Sequence, residues 1–409
     1  MDPDAYNDFV WLTSESATEY LETALRLFEK NLNPLKIAKL LRKSISPQRA
    51  ALAMEQAQLR IRGRRKFESA DEMFFTGRSL EQSTSSLLAT YKAKRFRDSS
   101  RVADICCGIG GDLISLAKRT DSPDFETVGV EQDPVPAQFA RANLKACDAK
   151  FAKVETVSFE DFDLEPFDAV HVDPDRRVKG RTTTADFFEP SLQSVFDRVS
   201  LDRQRVAIKV APATEIEDFD FPVEREWIGE WRECKQQVLW AGPGIEEDAK
   251  VATVVARDGA RCHFRSVGAA QKTLPPTRYA ETIGPYIYEP HASVLAGGLG
   301  DELAGKYSLE FLSRGIAYMN SEQPLEGVEP ILKGYRVDDV LPVDLKQIQK
   351  KLKSLDAGSL IIKKRGVDQV LADNVGRLKL GGDQKITIIL TRHQKSRRAI
   401  LVTRMVGPI

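Results

Sequence analysis

Apolar positions in the first hundred residues recur at helical spacing. Ala17, Leu21, Leu25 and Phe28 fall on one stripe of a segment from Ser14 to Lys30, and 35–43 continues in kind. Ser46 followed by Pro47 opens a further predicted helix over 47–62, because proline at the first helical position lacks only an N–H that would have had no partner. That helix ends in a basic run, and another basic helix is predicted over 83–97. From Arg101 the period changes. RVADICC, TVGVEQD, VETVSF, FDAVHVD and RVAIKVAP are short apolar runs, with helical spacing between them, notably over 134–146. Such alternation predicts parallel βαβ units in an open, doubly wound α/β sheet. Beyond Pro212 the runs QQVLWAG, KVATVVA and ARCHFRS crowd together, predicting antiparallel strands that finish the same sheet.

Residues 271–330 are broken by Pro275-Pro276, Gly284-Pro285 and Gly297-Gly298 and read as a connecting layer with short helices. The last segment is regular again. YRVDDVLPV, a helix over 344–355, GSLIIKKRG, a helix over 367–378, QKITIILTR and RRAILVTR predict a βαβαββ module. The expected organisation is therefore a helical domain over 1–97, an α/β domain over 98–270, the connecting layer over 271–330 and a small α/β domain over 331–409.

The 409 residues allow two or three cores of ordinary size. No run approaches the ~18 apolar residues a membrane span needs, and the acidic start MDPDAYNDFVWL is unlike a secretory leader. Five cysteines, none spaced CxxC, argue against a disulfide framework or a zinc site, and the four histidines are scattered. No metal, no membrane and a reducing cytoplasm are the expectations. Lys+Arg and Asp+Glu both number 60, yet residues 331–409 carry 17 basic and 7 acidic side chains. One positive end on a neutral chain suits a polyanionic partner, although a solvated lysine-rich surface has the same composition.

The chemistry gathers at Asp104-Ile105-Cys106-Cys107-Gly108-Ile109-Gly110-Gly111. A strand, a glycine turn and a helix N-terminus form an anion or nucleotide site, because bare backbone lets a ligand approach free N–H groups. The dinucleotide fingerprint is not met, since its third glycine falls on Leu113, and no GK[ST] follows to make a Walker loop. Acid-xxx-Gly-x-Gly, then Glu131 ending the second strand and Asp173-Pro174 ending the fourth, resembles the class I S-adenosylmethionine-dependent methyltransferases. The resemblance implies a Rossmann-like sheet with S-adenosylmethionine lying along Asp104, Gly108, Gly110 and Gly111. It also implies ribose hydroxyls on Glu131, and adenine beside Glu160 or Asp161 with Phe159 stacked on the ring. Independently, one carboxylate offers two acceptor oxygens to two vicinal hydroxyls. Cys106 and Cys107 read as small packing residues rather than reactive thiols.

Asp173-Pro174-Asp175-Arg176-Arg177 is similar to the Asp/Asn-Pro-Pro-aromatic motif of amino-group methyltransferases related to the trimethylguanosine synthases. The resemblance gives Asp173 and Pro174 the role of presenting an exocyclic amine. Asp175 and Arg176 depart from it, and an arginine plane could stack on a base or hold a phosphate. His171 reads as core rather than catalytic. Met73 to Thr84 is similar to a segment that closes over the cofactor in that group, with Phe75, Thr76 and Gln82 as the candidates; plain core is the other reading of Phe74 and Phe75. The last module resembles a THUMP-like domain, a kind of tRNA-binding module. RNA (tRNA or rRNA) would then be held by Lys363, Lys364, Arg365 and Arg392, together with Arg62, Arg64 and Arg65. Three readings stay open: an amino-group RNA methyltransferase, a methyltransferase of proteins or small molecules, and a non-catalytic RNA-binding protein.

Overall fold

The computed structural model describes residues 3–176, 188–266 and 276–405; the side chains of residues 3–5 and of Arg176 fall outside the description. Helices α1 (Pro3–Leu12), α2 (Thr18–Glu29), α3 (Pro34–Leu41), α4 (Pro47–Gly63), α5 (Gly77–Gln82) and α6 (Ser86–Ala93) come first. Caps set their starts. Asn33 accepts the Leu35 N–H at 2.8 Å and Ser46 that of Arg49 at 3.2 Å, each ahead of a proline at the first helical position. Alanines 50, 53 and 57 are fully buried on α4, which packs beside α2.

The sheet then begins: β1 (Arg101–Ile105), α7 (Gly111–Ala117), β2 (Glu126–Val130), α8 (Pro134–Ala146), β3 (Ala152–Glu155), β4 (Ala169–Val172), β5 (Asp175–Arg176), β6 (Phe188–Glu189), α9 (Leu192–Phe196), β7 (Arg205–Val210), β8 (Glu224–Glu230) and β9 (Glu233–Ala241). Internal contacts group residues 1–224 with 237–246, and 225–236 with 247–409. In the first unit the parallel order is β3–β2–β1–β4–β7, and β9 pairs antiparallel with β7. Successive residues of β1, β4 and β7 are buried, so both faces of these strands are covered, hence their nearly unbroken apolar character; Ile105, Val130, Val172 and Ile208 share one core.

In the second unit β8 runs parallel to β10 (Lys250–Val255), and β11 (Arg261–Arg265) pairs antiparallel with β10. There follow β12 (Tyr286–Pro290), α10 (Ala292–Ala296), α11 (Gly300–Lys306), β13 (Glu310–Ser313), β14 (Ile316–Ser321), β15 (Leu332–Pro342), α12 (Leu345–Ser354), β16 (Ala357–Arg365), α13 (Gln369–Gly376), β17 (Gln384–His393) and β18 (Ser396–Arg404). The predicted βαβαββ order of the last module is present element for element. Its sheet is larger than expected, with order β13–β14–β12–β15–β18–β17–β16. The supposed connecting layer thus supplies three strands, and β15 pairs along its length with β12 and β18. The division at residue 331 cuts through one sheet. Among the described residues no helix is long and apolar enough to cross a membrane.

Two buried amides position the segment before α5. Gln56 on α4 donates to the Phe75 carbonyl at 2.6 Å and accepts its N–H at 3.0 Å. Asn143 on α8 accepts the Phe74 N–H at 2.7 Å and donates to the carbonyls of Phe74 (3.0 Å) and Ile109 (2.9 Å). Each such bond contributes about 0.5–1.5 kcal/mol, while an orphaned buried partner costs about 1–3 kcal/mol, so the segment's path beside the glycine turn is tightly specified.

Candidate active site

β1 ends at Ile105, and the chain turns through Cys106 (φ 57°), Gly108 (φ 55°) and Gly110 (φ 87°) before α7. Left-handed backbone is cheap for glycine but costs a cysteine of the order of 1–3 kcal/mol, so the packing around the turn must offset that strain. A Cβ added at Gly108 would meet nothing within 4 Å, whereas one at Gly111 would meet Ser83 Cβ at 3.3 Å. Open space therefore lies over Gly108, and the chain after α5 lies over the first turn of α7.

Glu131 follows β2. Its Oε2 accepts the Gly108 N–H at 3.0 Å and its Oε1 accepts the Asp133 N–H at 2.8 Å. Each carboxylate oxygen has two lone pairs, so the bonds fix the group without exhausting it. Burial pushes the Glu131 carboxyl above its ordinary value, and the two N–H groups pull it back. Asp173 follows β4, with its N–H on the Ile105 carbonyl at 3.1 Å. Burial first, then the charges of Glu131, Asp173, Asp104 and Asp175, pushes the Cys106 thiol far up. Carboxylates from the loops after β2 and β4, with Asp104 on β1, thus surround the turn, a setting for a cation, and the thiol is inert there.

The structure places the other sequence candidates unevenly. Asp104 is 1% exposed; its Oδ1 meets His171 Nδ1 at 2.7 Å and its Oδ2 is enclosed without a partner. It is a buried support of the turn rather than a cofactor contact. His171 is core-embedded, as expected, but charged groups surround it: Lys92 Nζ lies 3.2 Å from Nε2 and bonds Asp112 Oδ1 at 2.8 Å, and Thr84 donates to Asp112 Oδ2 at 2.7 Å. An ammonium only donates, so Nε2 accepts and Nδ1 carries the proton given to Asp104. Burial alone would raise the Asp112 carboxyl, but the Lys92 ammonium above all holds it well below its ordinary value.

Phe75 is fully buried against Phe67 and the α4 helix, so it belongs to the helical core and not to a ligand pocket. Thr76 caps α5 in a reciprocal pair with Ser79. Gln82 is exposed, and its carbonyl accepts from Lys209 Nζ at 3.2 Å. Phe159 is a core side chain beneath the Arg198 guanidinium, 4.5 Å from the ring centre, rather than an open stacking platform. Glu160 and Asp161 are exposed after β3, and Asp161 holds the Ser158 hydroxyl at 2.8 Å. Pro174 is buried, and the Arg176 side chain lies outside the described residues.

The basic candidates divide as well. Arg62 pairs with Glu81 at 3.3 Å, and Arg64 with Asp71 at 2.7 Å and Glu29 at 2.5 Å, while Arg65 is exposed. Lys363 turns inward onto Glu289, 13% exposed, and Arg365 stands 3.6 Å from the same carboxylate. Neither is the open phosphate contact expected of it. Lys364 and Arg392 are exposed.

Two cations escaped the sequence reading. Lys209 on β7 meets Asp173 Oδ2 at 2.5 Å, and Arg78 on α5 holds both oxygens of Asp175 at 2.6 and 2.7 Å. The signal for Lys209 was present: a lone lysine near the carboxyl end of an apolar central strand needs a partner. Among the described residues no group of three or more His, Cys, Asp or Glu is placed to hold a metal.

Residues 65–193 match the methyltransferase small domain family model, and residues 332–404 match the THUMP domain-like model. An uncharacterised S-adenosylmethionine-dependent methyltransferase of Mycobacterium tuberculosis, present in strains H37Rv and CDC 1551, is 27% identical over 333 residues, 78% of this chain and 85% of the relative. A crystal structure from Porphyromonas gingivalis W83, of a protein described as a candidate methyltransferase, shares the fold with a TM-score of 0.76 at 19% identity, covering 95% of this chain and 99% of that one. The open glycine turn and its carboxylates fit a cationic sulfonium nucleoside. Residues 65–193 are thus a methyltransferase small domain and 332–404 a THUMP-like one, and the chain that carries them is a methyltransferase that uses S-adenosylmethionine.

Proposed function

We propose that the enzyme methylates an amino group of a base in structured RNA, tRNA or rRNA. The observation that carries this reading is Asp173-Pro174 at the carboxyl end of β4, beside the turn that holds Glu131 to Gly108. Open α/β sheets hold ligands at this edge. Glu131 takes the ribose hydroxyls, and Gly108 and Gly110 let the methionine part lie against bare backbone. S-adenosylmethionine supplies a methyl group on a sulfonium and leaves as a neutral thioether. An exocyclic amine is a poor nucleophile because its lone pair is delocalised into the ring. Donating its N–H groups to Asp173 and to the Pro174 carbonyl favours the pyramidal nitrogen that attacks in line. As the N–C bond forms, the nitrogen's extra proton passes to Asp173 or to water.

The THUMP-like match and the positive charge of residues 331–409 support RNA as the carrier of that amine, with Lys364, Arg392 and Arg65 as its exposed contacts. A protein or small-molecule acceptor is the second reading, and Asp175 favours it: a carboxylate tied to Arg78 stands where the related motif has its second proline. The discriminating experiment incubates the protein with methyl-labelled S-adenosylmethionine and bulk tRNA or rRNA. The expected result is labelled RNA, lost in Asp173→Ala while cofactor binding survives. Label appearing in a protein fraction, with none in RNA, replaces the first reading with the second.

A further inference from the structure

β7 carries Lys209 between the buried Ile208 and Val210, and its side chain is only 11% exposed. A largely desolvated lysine in a central parallel strand is costly unless its charge is met, and an apolar residue there would pack at no such cost. Its partners are specific. β4 and β7 are neighbouring parallel strands with Val172 opposite Ile208, so the next position on each brings Asp173 and Lys209 side by side. The ammonium meets Asp173 Oδ2 at 2.5 Å and the Gln82 carbonyl, at the end of α5, at 3.2 Å. At the other end of α5 Arg78 grips Asp175. Two cations therefore pin the two carboxylates of the Asp-Pro-Asp turn.

We propose that Lys209 is a positioning residue for methyl transfer: by anchoring Oδ2 of Asp173 it fixes the carboxylate's rotamer and so the direction in which Oδ1 faces the acceptor's N–H. A carboxylate on a loop turns freely about two side-chain bonds and offers two equivalent oxygens. Held by an ammonium anchored in the sheet, it has one orientation, and the acceptor nitrogen is met in one place. The same ammonium, through Gln82, makes the segment over α7 part of that geometry. The inference rests on Asp173 receiving the acceptor amine as proposed above.

The test uses the full chain with Lys209→Met, Lys209→Arg, Asp173→Asn and the Lys209→Met/Asp173→Asn double variant. Bulk tRNA and methyl-labelled S-adenosylmethionine are the probe, calorimetry gives cofactor affinity, and crystals of Lys209→Met report the Asp173 rotamer. Lys209→Met is expected to leave cofactor affinity unchanged and to lower kcat by on the order of 100-fold, the cost of misplacing a reacting group by about an ångström. Lys209→Arg should recover most of the loss, and Lys209→Met should cost nothing further on top of Asp173→Asn. In the crystal, Asp173 should leave its wild-type rotamer. Full kcat in Lys209→Met, additive losses in the double variant, or an Asp173 rotamer unmoved without Lys209 would each overturn the inference. Full activity of Asp173→Asn would instead remove the reading on which it stands. If Lys209→Met does not fold, Lys209→Gln is read by the same criteria.

Discussion

Replacing Glu131 by alanine separates cofactor recognition from everything else in the molecule. The side chain sits on a turn, away from the helical core, and its two oxygens accept N–H groups of Gly108 at 3.0 Å and Asp133 at 2.8 Å. Its removal takes away the acceptor for the ribose hydroxyls and also the pin that holds the Gly108 amide. Hydrogen bonds to a charged group contribute about 1.5–3 kcal/mol, so the lost ribose contact alone weakens binding by roughly 10- to 150-fold. Release of the Gly108 amide adds to that, because the turn must then be ordered by the ligand. Glutamine is no gentle substitute: its NH2 group would face one of the two N–H donors. Calorimetric titration of S-adenosylhomocysteine into wild type and Glu131→Ala, with urea unfolding of both, is the assay. A weakened ligand on a protein that still unfolds cooperatively, at somewhat lower urea, is expected. Equal affinity would place the ribose elsewhere and refute the reasoning about this carboxylate.

Lys92 and Asp112 are 1% and 7% exposed, so Lys92→Met, which strands a buried carboxylate, should destabilise the fold by about 3–5 kcal/mol in urea titration; a change near zero would mean the pair is solvated. The pH dependence follows from the same pair. With its folded value depressed, the Asp112 carboxyl contributes stability that is complete above its ordinary value of 3.8 and is lost as pH falls below it. In Lys92→Met burial acts with less opposition, so that acid-side loss should shrink or reverse in unfolding curves taken between about pH 2 and 5. Burial, then the charges of Arg404, Arg232 and Lys363, lowers the Lys333 ammonium to about 8; limited acetylation at pH 8, read by mass spectrometry, should mark Lys333 ahead of the exposed Lys364, and the reverse order would contradict that environment. Lys364→Glu with Arg392→Glu should weaken RNA binding and flatten its dependence on salt, whereas unchanged affinity would leave their charge a solubilising surface. Point changes suit this question better than truncation at residue 331, which would strip β15 from its pairing with β12.

Much of the fold was legible because local signals agreed with tertiary ones. Helical spacing over 134–146 marked α8, whose bounds match expectation, and the apolar runs of β1, β4 and β7 reflect strands buried on both faces. β8 escaped because EREWIGE mixes charge into a strand: Glu226 is buried there and satisfied by the Thr253 hydroxyl on β10, a pairing no local window contains. Tyr286–Pro290 and Ile316–Ser321 were read into a connecting layer with short helices because glycine and proline punctuate the region, yet both lie in the larger sheet. In the site, Gly108 and Gly110 were marked by the glycine turn after β1, and Glu131 by the resemblance to the class I methyltransferases. The role of Asp104 was not marked, since the His171 that turns it from ligand to support stands on another strand. Lys363 was misjudged for a similar reason: basicity is visible in a sequence, while the Glu289 that draws it inward is 74 residues away.

The most direct test of the account is a crystal structure of the chain grown with S-adenosylhomocysteine. The expected density has the homocysteine part along Gly108 and Gly110, the ribose on the Glu131 carboxylate and the sulfur directed toward Asp173. A ligand bound elsewhere, or a cleft left closed by the protein's own side chains despite measured binding in solution, would contradict it.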